Sequence, residues 1–122
     1  MTNKVIPMIH VPDVRATVAW YLTIGFRLER THEECGVMSW ASLTFGDTEI
    51  MLNVGGKTSL AERREMDLYV HVDNVEALYA GLKEREQVVV ALYDAEYGMR
   101  EFTIRDPNRF WITFGQPINK SP

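Results

Sequence analysis

The stretch His10-Val11-Pro12-Asp13-Val14-Arg15-Ala16-Thr17-Val18-Ala19 returns 61 residues later as His71-Val72-Asp73-Asn74-Val75-Glu76-Ala77-Leu78-Tyr79-Ala80. Five of the ten positions are identical (His10/His71, Val11/Val72, Val14/Val75, Ala16/Ala77 and Ala19/Ala80). Ordinary residue frequencies would give about one match or fewer. The offset is half of the 122-residue chain. Asp13 and Asn74 also correspond, and each is a good helix N-cap, because a short side-chain oxygen can accept from the free N–H groups of a first helical turn. The chain therefore reads as one structural unit written twice. Two such units packed about a pseudo-two-fold axis are expected to leave a cleft.

Working outward from the repeat, each half reads as strand, helix, then three strands. Lys4–Val11 is an extended run broken by Pro7, which suits an edge strand. Asp13 caps a helix over Val14–Ile24 with Val14, Val18, Tyr21 and Leu22 as its apolar stripe, and Gly25 stops it. Extended stretches follow at Phe26–His32, Val37–Phe45 and Glu49–Asn53, the last two joined by the turn signal Gly46-Asp47. Residues 55–65 read as a linker whose charges, from Lys57 to Glu65, form a solvated loop. In the second half Asp67–Val72 is a strand, and Asn74 caps a helix with Val75, Leu78, Tyr79 and Leu82 on one face. Gln87–Leu92, Arg100–Arg105 and Phe110–Gly115 are strands, with Asp106-Pro107-Asn108-Arg109 as the turn between the last two. One domain over residues 1–122 is expected, with modules at about 1–56 and 66–122. A half of near 60 residues alone would bury a core only marginally.

Composition narrows the function classes. Apolar residues make up 46% and charged residues 25%, as in ordinary globular proteins. No apolar run approaches the roughly 18 residues of a membrane span, and no signal peptide is expected. The single cysteine, Cys35, cannot form an intrachain disulfide and fits a reducing, cytoplasmic setting. A net charge of −4 argues against nucleic acid as a partner and mildly favours a cationic one.

Two further motifs accompany this order: Asp13-Val14…Trp20-Tyr21…Gly25-Phe26, and Gly98-Met99-Arg100-Glu101-Phe102…Arg105-Asp106-Pro107-Asn108…Phe114-Gly115-Gln116-Pro117. Together they resemble the vicinal oxygen chelate superfamily over essentially the whole chain. That group contains glyoxalase I, extradiol dioxygenases, fosfomycin-resistance enzymes and bleomycin-resistance proteins, and the closing stretch looks most like the glyoxalase/bleomycin-resistance branch. The resemblance implies an α+β fold of two βαβββ modules forming a curved half-barrel sheet, and a homodimer with shared clefts. Pro7 is compatible with exchange of the first strand between subunits. Two departures stand out. The second helix ends in Arg85-Glu86-Gln87 where glycine is common, and Arg109 takes the usual glycine of the turn, a role Asn108 is expected to fill.

In metal-using members each half contributes one ligand from its first strand and a glutamate from its last. Carried over residue by residue, those positions are Ile6, Met51, Asp67 and Thr113. An alkyl group, a thioether and a hydroxyl in three of the four places leave a divalent ion without the carboxylates or imidazoles it prefers. No metal and no other cofactor is expected. His10 and His71 lie four residues further along their strands, about 13 Å away at about 3.3 Å per residue, and do not rebuild the site.

Strand alternation supplies a lining in place of ligands: Met8 and His10; Trp40 and Ser42; Met51 and Asn53; Asp67, Tyr69 and His71; Glu101 and Thr103; Trp111 and Thr113. Flat aromatics, methionine and a few acids suit a planar, partly cationic organic molecule. His10, Trp40, Met51, Asp67, Tyr69, His71, Glu101, Thr103, Trp111 and Thr113 are the candidate ligand-binding residues, and no catalytic residue is assigned. Trp40 and Trp111 could equally fill a core, and Arg100 or Arg105 could neutralise Asp67 or Glu101. His32 falls near a position that lines the cavity in relatives. The expected function is metal-independent binding and sequestration of an aromatic or cationic compound, of the bleomycin-resistance type. The alternative is a glyoxalase-like lyase or isomerase, or a dioxygenase, using a displaced metal or His/Asp/Glu acid–base chemistry.

Overall fold

The computed structural model describes residues 3–56 and 62–118. Those parts of the expected linker that fall on residues 57–61 lie outside the described residues. The chain divides into two compact units, Met1–Thr58 and Ser59–Pro122.

In the first unit the order is β1 (Met8–Val11), α1 (Val14–Thr23), β2 (Arg27–Glu34), β3 (Val37–Phe45) and β4 (Thr48–Val54). The second repeats it as β5 (Leu68–His71), α2 (Val75–Leu82), β6 (Gln87–Asp94), β7 (Met99–Arg105) and β8 (Trp111–Pro117). Each unit holds one four-stranded mixed sheet, ordered β1-β4-β3-β2 and β5-β8-β7-β6. The first strand of each runs parallel to the last, and the remaining pairs are antiparallel. This is the expected pair of βαβββ modules.

The two caps act as the repeat requires. Asp13 accepts from the Ala16 N–H (3.0 Å) and Asn74 from the Ala77 N–H (3.1 Å), so the duplicated Ala16/Ala77 positions are the capped amides. The helices then cover one face of each sheet. Ile9, Val11, Ala41, Leu43, Ile50 and Leu52 are buried on that face in the first unit. Phe102, Ile104, Ile112 and Phe114 are buried in the second, with Tyr79 of α2 edge-on to Phe102.

Several local expectations change. Leu22 is exposed, and Thr17 is buried in its place beside Val14, Val18 and Tyr21, its hydroxyl turned back to the Asp13 carbonyl (2.8 Å). On α2 only Val75 and Leu82 are fully buried, Leu78 and Tyr79 being half-buried. The first strand joins the ladder only from Met8. Pro7 has no N–H to give, but its carbonyl still accepts from Met51 (2.9 Å). In the β7–β8 turn the left-handed residue is Arg109 itself (φ 69°), while the Asn108 N–H bonds the Asp106 carboxylate (2.8 Å). The stretch after residue 61 is more than a solvated loop. Glu62 binds Arg105 (3.0 Å), and the Arg64 guanidinium lies over Phe110 (4.6 Å) and donates to the Asn108 carbonyl (3.2 Å).

Candidate functional site

The face of each sheet turned away from its helix carries the polar and aromatic alternates. In the first unit the register sets His10 beside Asn53, Asn53 beside Trp40 and Trp40 beside His32. The next row is Met8, Met51, Ser42 and Arg30. In the second unit the matching rows are His71, Gly115, Glu101 and Tyr93, then Tyr69, Thr113, Thr103 and Val90. Trp111 begins a third row beside Arg105, and Asp67 lies just before β5. All the candidate residues of the first unit (His10, Trp40, Met51) thus share the face turned away from α1. Those of the second (Tyr69, His71, Glu101, Thr103, Trp111, Thr113) share the face turned away from α2, with Asp67 at its margin.

On the first unit's face Trp40 has the Arg30 guanidinium 5.8 Å from its ring centre. His10 is exposed, and His32 lies 3.7 Å from Glu34. The acid of this face is Glu49, two residues before Met51. The Ser42 hydroxyl bonds it and Lys4 approaches at 3.3 Å. Those contacts, the Ser42 bond above all, hold its carboxyl below the usual glutamate range against the opposing effect of burial.

The second unit is built differently. Arg63 lays its guanidinium over the Trp111 ring at 4.1 Å and grips Asp67 with two nitrogens, Nε at 3.2 Å and Nη2 closer still. A flat cation is thus held between an indole face and a carboxylate. The Trp111 indole N–H is buried and finds no acceptor among the described residues. Leaving such a donor unmet costs about 1–3 kcal/mol.

Glu101 is only 5% exposed, yet neither Arg100 nor Arg105, its neighbours in sequence, is paired with it. Arg100 is taken by Asp94 and Glu76 on the helix side, and Arg105 by Glu62, so neither neutralises Asp67 or Glu101. Three phenols serve Glu101 instead. Tyr69 donates to Oε2 (2.6 Å), while Tyr93 (3.2 Å) and Tyr97 donate to Oε1. Burial first, then the Glu101 carboxylate, pushes the Tyr69 phenol well above the ordinary tyrosine range. For Tyr97 the Glu101 bond is the larger cause. Gly115 lies between Tyr69 and Glu101 across the sheet, and a Cβ there would overlap the Tyr69 hydroxyl.

Sequence reading missed Glu49, Arg63, Tyr93 and Tyr97. Glu49 was available from the same alternation that gave Met51 and Asn53. Tyr93 and Tyr97 belong to β6 and its hairpin tip, whose pairing was not assigned.

At the positions the resemblance gives to metal ligands, the donors do not suit a divalent ion. Ile6 and Met51 offer no oxygen or nitrogen. Asp67 is engaged by Arg63, and the Thr113 hydroxyl is bonded to Thr103 (2.8 Å). Among the described residues no three His, Cys, Asp or Glu side chains gather as a metal centre would require.

Two βαβββ modules of this order define the glyoxalase and bleomycin-resistance class of fold. The chain belongs to the Glyoxalase/Bleomycin resistance protein/Dioxygenase superfamily, whose family model matches residues 5–114. Among solved structures it is similar to TioX from Micromonospora sp. ML1 (TM-score 0.74, 18% identity, 98% of this chain and 100% of that one). It is also similar to a bleomycin-binding protein complexed with bleomycin (TM-score 0.70, 18% identity, 98% and 100% covered). A third is a bleomycin resistance determinant encoded on the transposon Tn5 (TM-score 0.71, 17% identity, 95% and 98% covered). At such identities the likeness speaks for the fold. No curated protein matches the sequence. Among the described residues no helix is long and apolar enough to cross a membrane.

Proposed function

We propose that this protein binds and sequesters a flat cationic or aromatic small molecule, without a metal, on the face that carries Trp111. The observation behind this reading is Arg63, a planar cation stacked at 4.1 Å on Trp111 and chelated by Asp67. On this reading the Arg63 side chain stands in for the ligand, with a delocalised plane for the indole and N–H donors for the carboxylate. The unmet Trp111 N–H adds one acceptor to the description. Sequestration asks only for affinity, so the poor donor set at Ile6, Met51, Asp67 and Thr113 is no handicap. The bleomycin-binding protein and the bleomycin resistance determinant among the similar structures support a small-molecule role and make bleomycin a natural second probe.

The test is quenching of tryptophan fluorescence by benzamidinium, then by bleomycin, in the presence of a chelator. Saturable quenching that Trp111→Leu abolishes and that the chelator leaves untouched is the expected result. Quenching that survives Trp111→Leu, or that appears only with added metal, would overturn the reading. Turnover of a hemithioacetal or a catechol would move the protein to the lyase or dioxygenase alternative.

A further inference from the structure

Glu101 poses a separate problem, because a carboxylate at 5% exposure normally takes a cation as partner. The other acids of the second unit that carry ion pairs take arginines: Asp67 with Arg63, Asp94 and Glu76 with Arg100, Glu62 with Arg105. Glu101 takes three neutral phenols, brought from three places: Tyr69 on β5, Tyr93 on β6 and Tyr97 in the β6–β7 turn. The negative charge remains, and the three rings around it stay in reach of solvent, Tyr69 and Tyr93 at 45% and Tyr97 at 64% exposure.

From this geometry we infer that Tyr69, Tyr93 and Tyr97, with Glu101 behind them, form a recognition site for an alkylated ammonium cation. Two physical points lead there. A phenol donating its hydrogen to a carboxylate gains electron density in its ring, which strengthens the attraction of the ring face for a cation. The Glu101 oxygens are already served, Oε1 by two hydroxyls and Oε2 by one. A cation rich in N–H groups would find few acceptors there, whereas a quaternary ammonium has no N–H groups to satisfy. The Trp111–Asp67 pair prefers the opposite kind of cation, one with donors in a plane. The inference therefore goes beyond the proposed function and uses different residues. Gly115 is part of the construction, since only a residue without a Cβ lets the Tyr69 hydroxyl pass to Glu101.

The experiment is calorimetric titration of the intact protein with choline and with dimethylbutanol, its uncharged isostere. Choline binding at least tenfold tighter than the alcohol is expected. Glu101→Gln should lower choline affinity about tenfold, and Tyr97→Ala about fivefold. Tyr97→Phe, which keeps the ring but loses its bond to Glu101, should lower it about twofold. Gly115→Ala should act like loss of the Tyr69 contact. Trp111→Leu should leave choline binding unchanged, which separates failure here from failure of the stacking reading. If Glu101→Gln does not fold, as judged by circular dichroism, the Tyr97 pair decides, because that ring is largely exposed. Equal affinity for choline and the alcohol, or choline affinity unmoved by the variants that fold, would overturn the inference.

Discussion

The two modules share a scaffold and differ on the faces turned away from their helices. On the helix side the matching rows are apolar in both: Ile9, Leu52 and Ala41 against Val70, Phe114 and Phe102. On the other side the duplicated histidine opens a row that continues Asn53, Trp40, His32 in one module and Gly115, Glu101, Tyr93 in the other. Trp40 and Glu101 occupy equivalent places. The contrast teaches that both modules keep apolar character where the sheet packs on its helix, while on the other face they diverge beyond the duplicated histidine. Folding constrains the first set through cavity and strain costs, and ligand chemistry is free to shape the second.

The comparison can be broken most directly in the core. Phe114→Ala should cost about 4 kcal/mol and Leu52→Ala about 3 kcal/mol in denaturant unfolding, since both side chains are fully buried at equivalent places. If one loss were near zero, the modules would not be equivalent supports. The caps sharpen the point on a smaller scale. Asp13→Ala and Asn74→Ala should each cost about 1 kcal/mol, because each removes an observed bond to the third residue of its helix turn. Unequal losses would show that one helix matters more.

The last turn of each module gives a signed test. The left-handed residue is Gly46 (φ 60°) between β3 and β4 but Arg109 (φ 69°) between β7 and β8. Arg109→Gly should raise stability by about 1 kcal/mol, and Gly46→Ala should lower it by about as much. Loss of stability in Arg109→Gly would mean that the arginine side chain outweighs its backbone cost.

Alkali should separate the modules more gently. The raised Tyr69 and Tyr97 phenols contribute stability that is complete below about pH 10 and is lost as pH rises through their higher folded values. The lowered carboxyls work the other way, and both modules have one. Glu49 and Asp94 contribute above about pH 4, and that contribution fades as pH falls through their lower values. Tyr69→Phe and Tyr97→Phe should therefore each remove one late-ionising phenol from the tyrosinate absorbance curve. A curve in which each substitution removes only a phenol of ordinary range would contradict the Glu101 network.

Alternation and the repeat made the fold legible, and alternation put Met8, Met51, Tyr69 and Thr113 on the faces turned away from the helices without giving their pairing. A period of two tells which face a residue joins, but not which partner a long side chain finds there. Arg63 was invisible for that reason, since it reaches Trp111 from a segment with no regular structure of its own. Tyr97 was invisible because a hairpin tip carries no periodicity. Arg100 and Arg105, near Glu101 in sequence, point to other acids. Proximity along a strand was a poor guide to charge pairing.

Arg63 gives the most direct test of the account. If its guanidinium holds the ligand's place on Trp111, Arg63→Ala removes an internal competitor and should tighten benzamidinium binding about fivefold, equivalent to about 1 kcal/mol. Unchanged or weaker binding by that variant, titrated beside the parent protein, would mean that the stacked arginine is structural and that the ligand, if any, binds elsewhere.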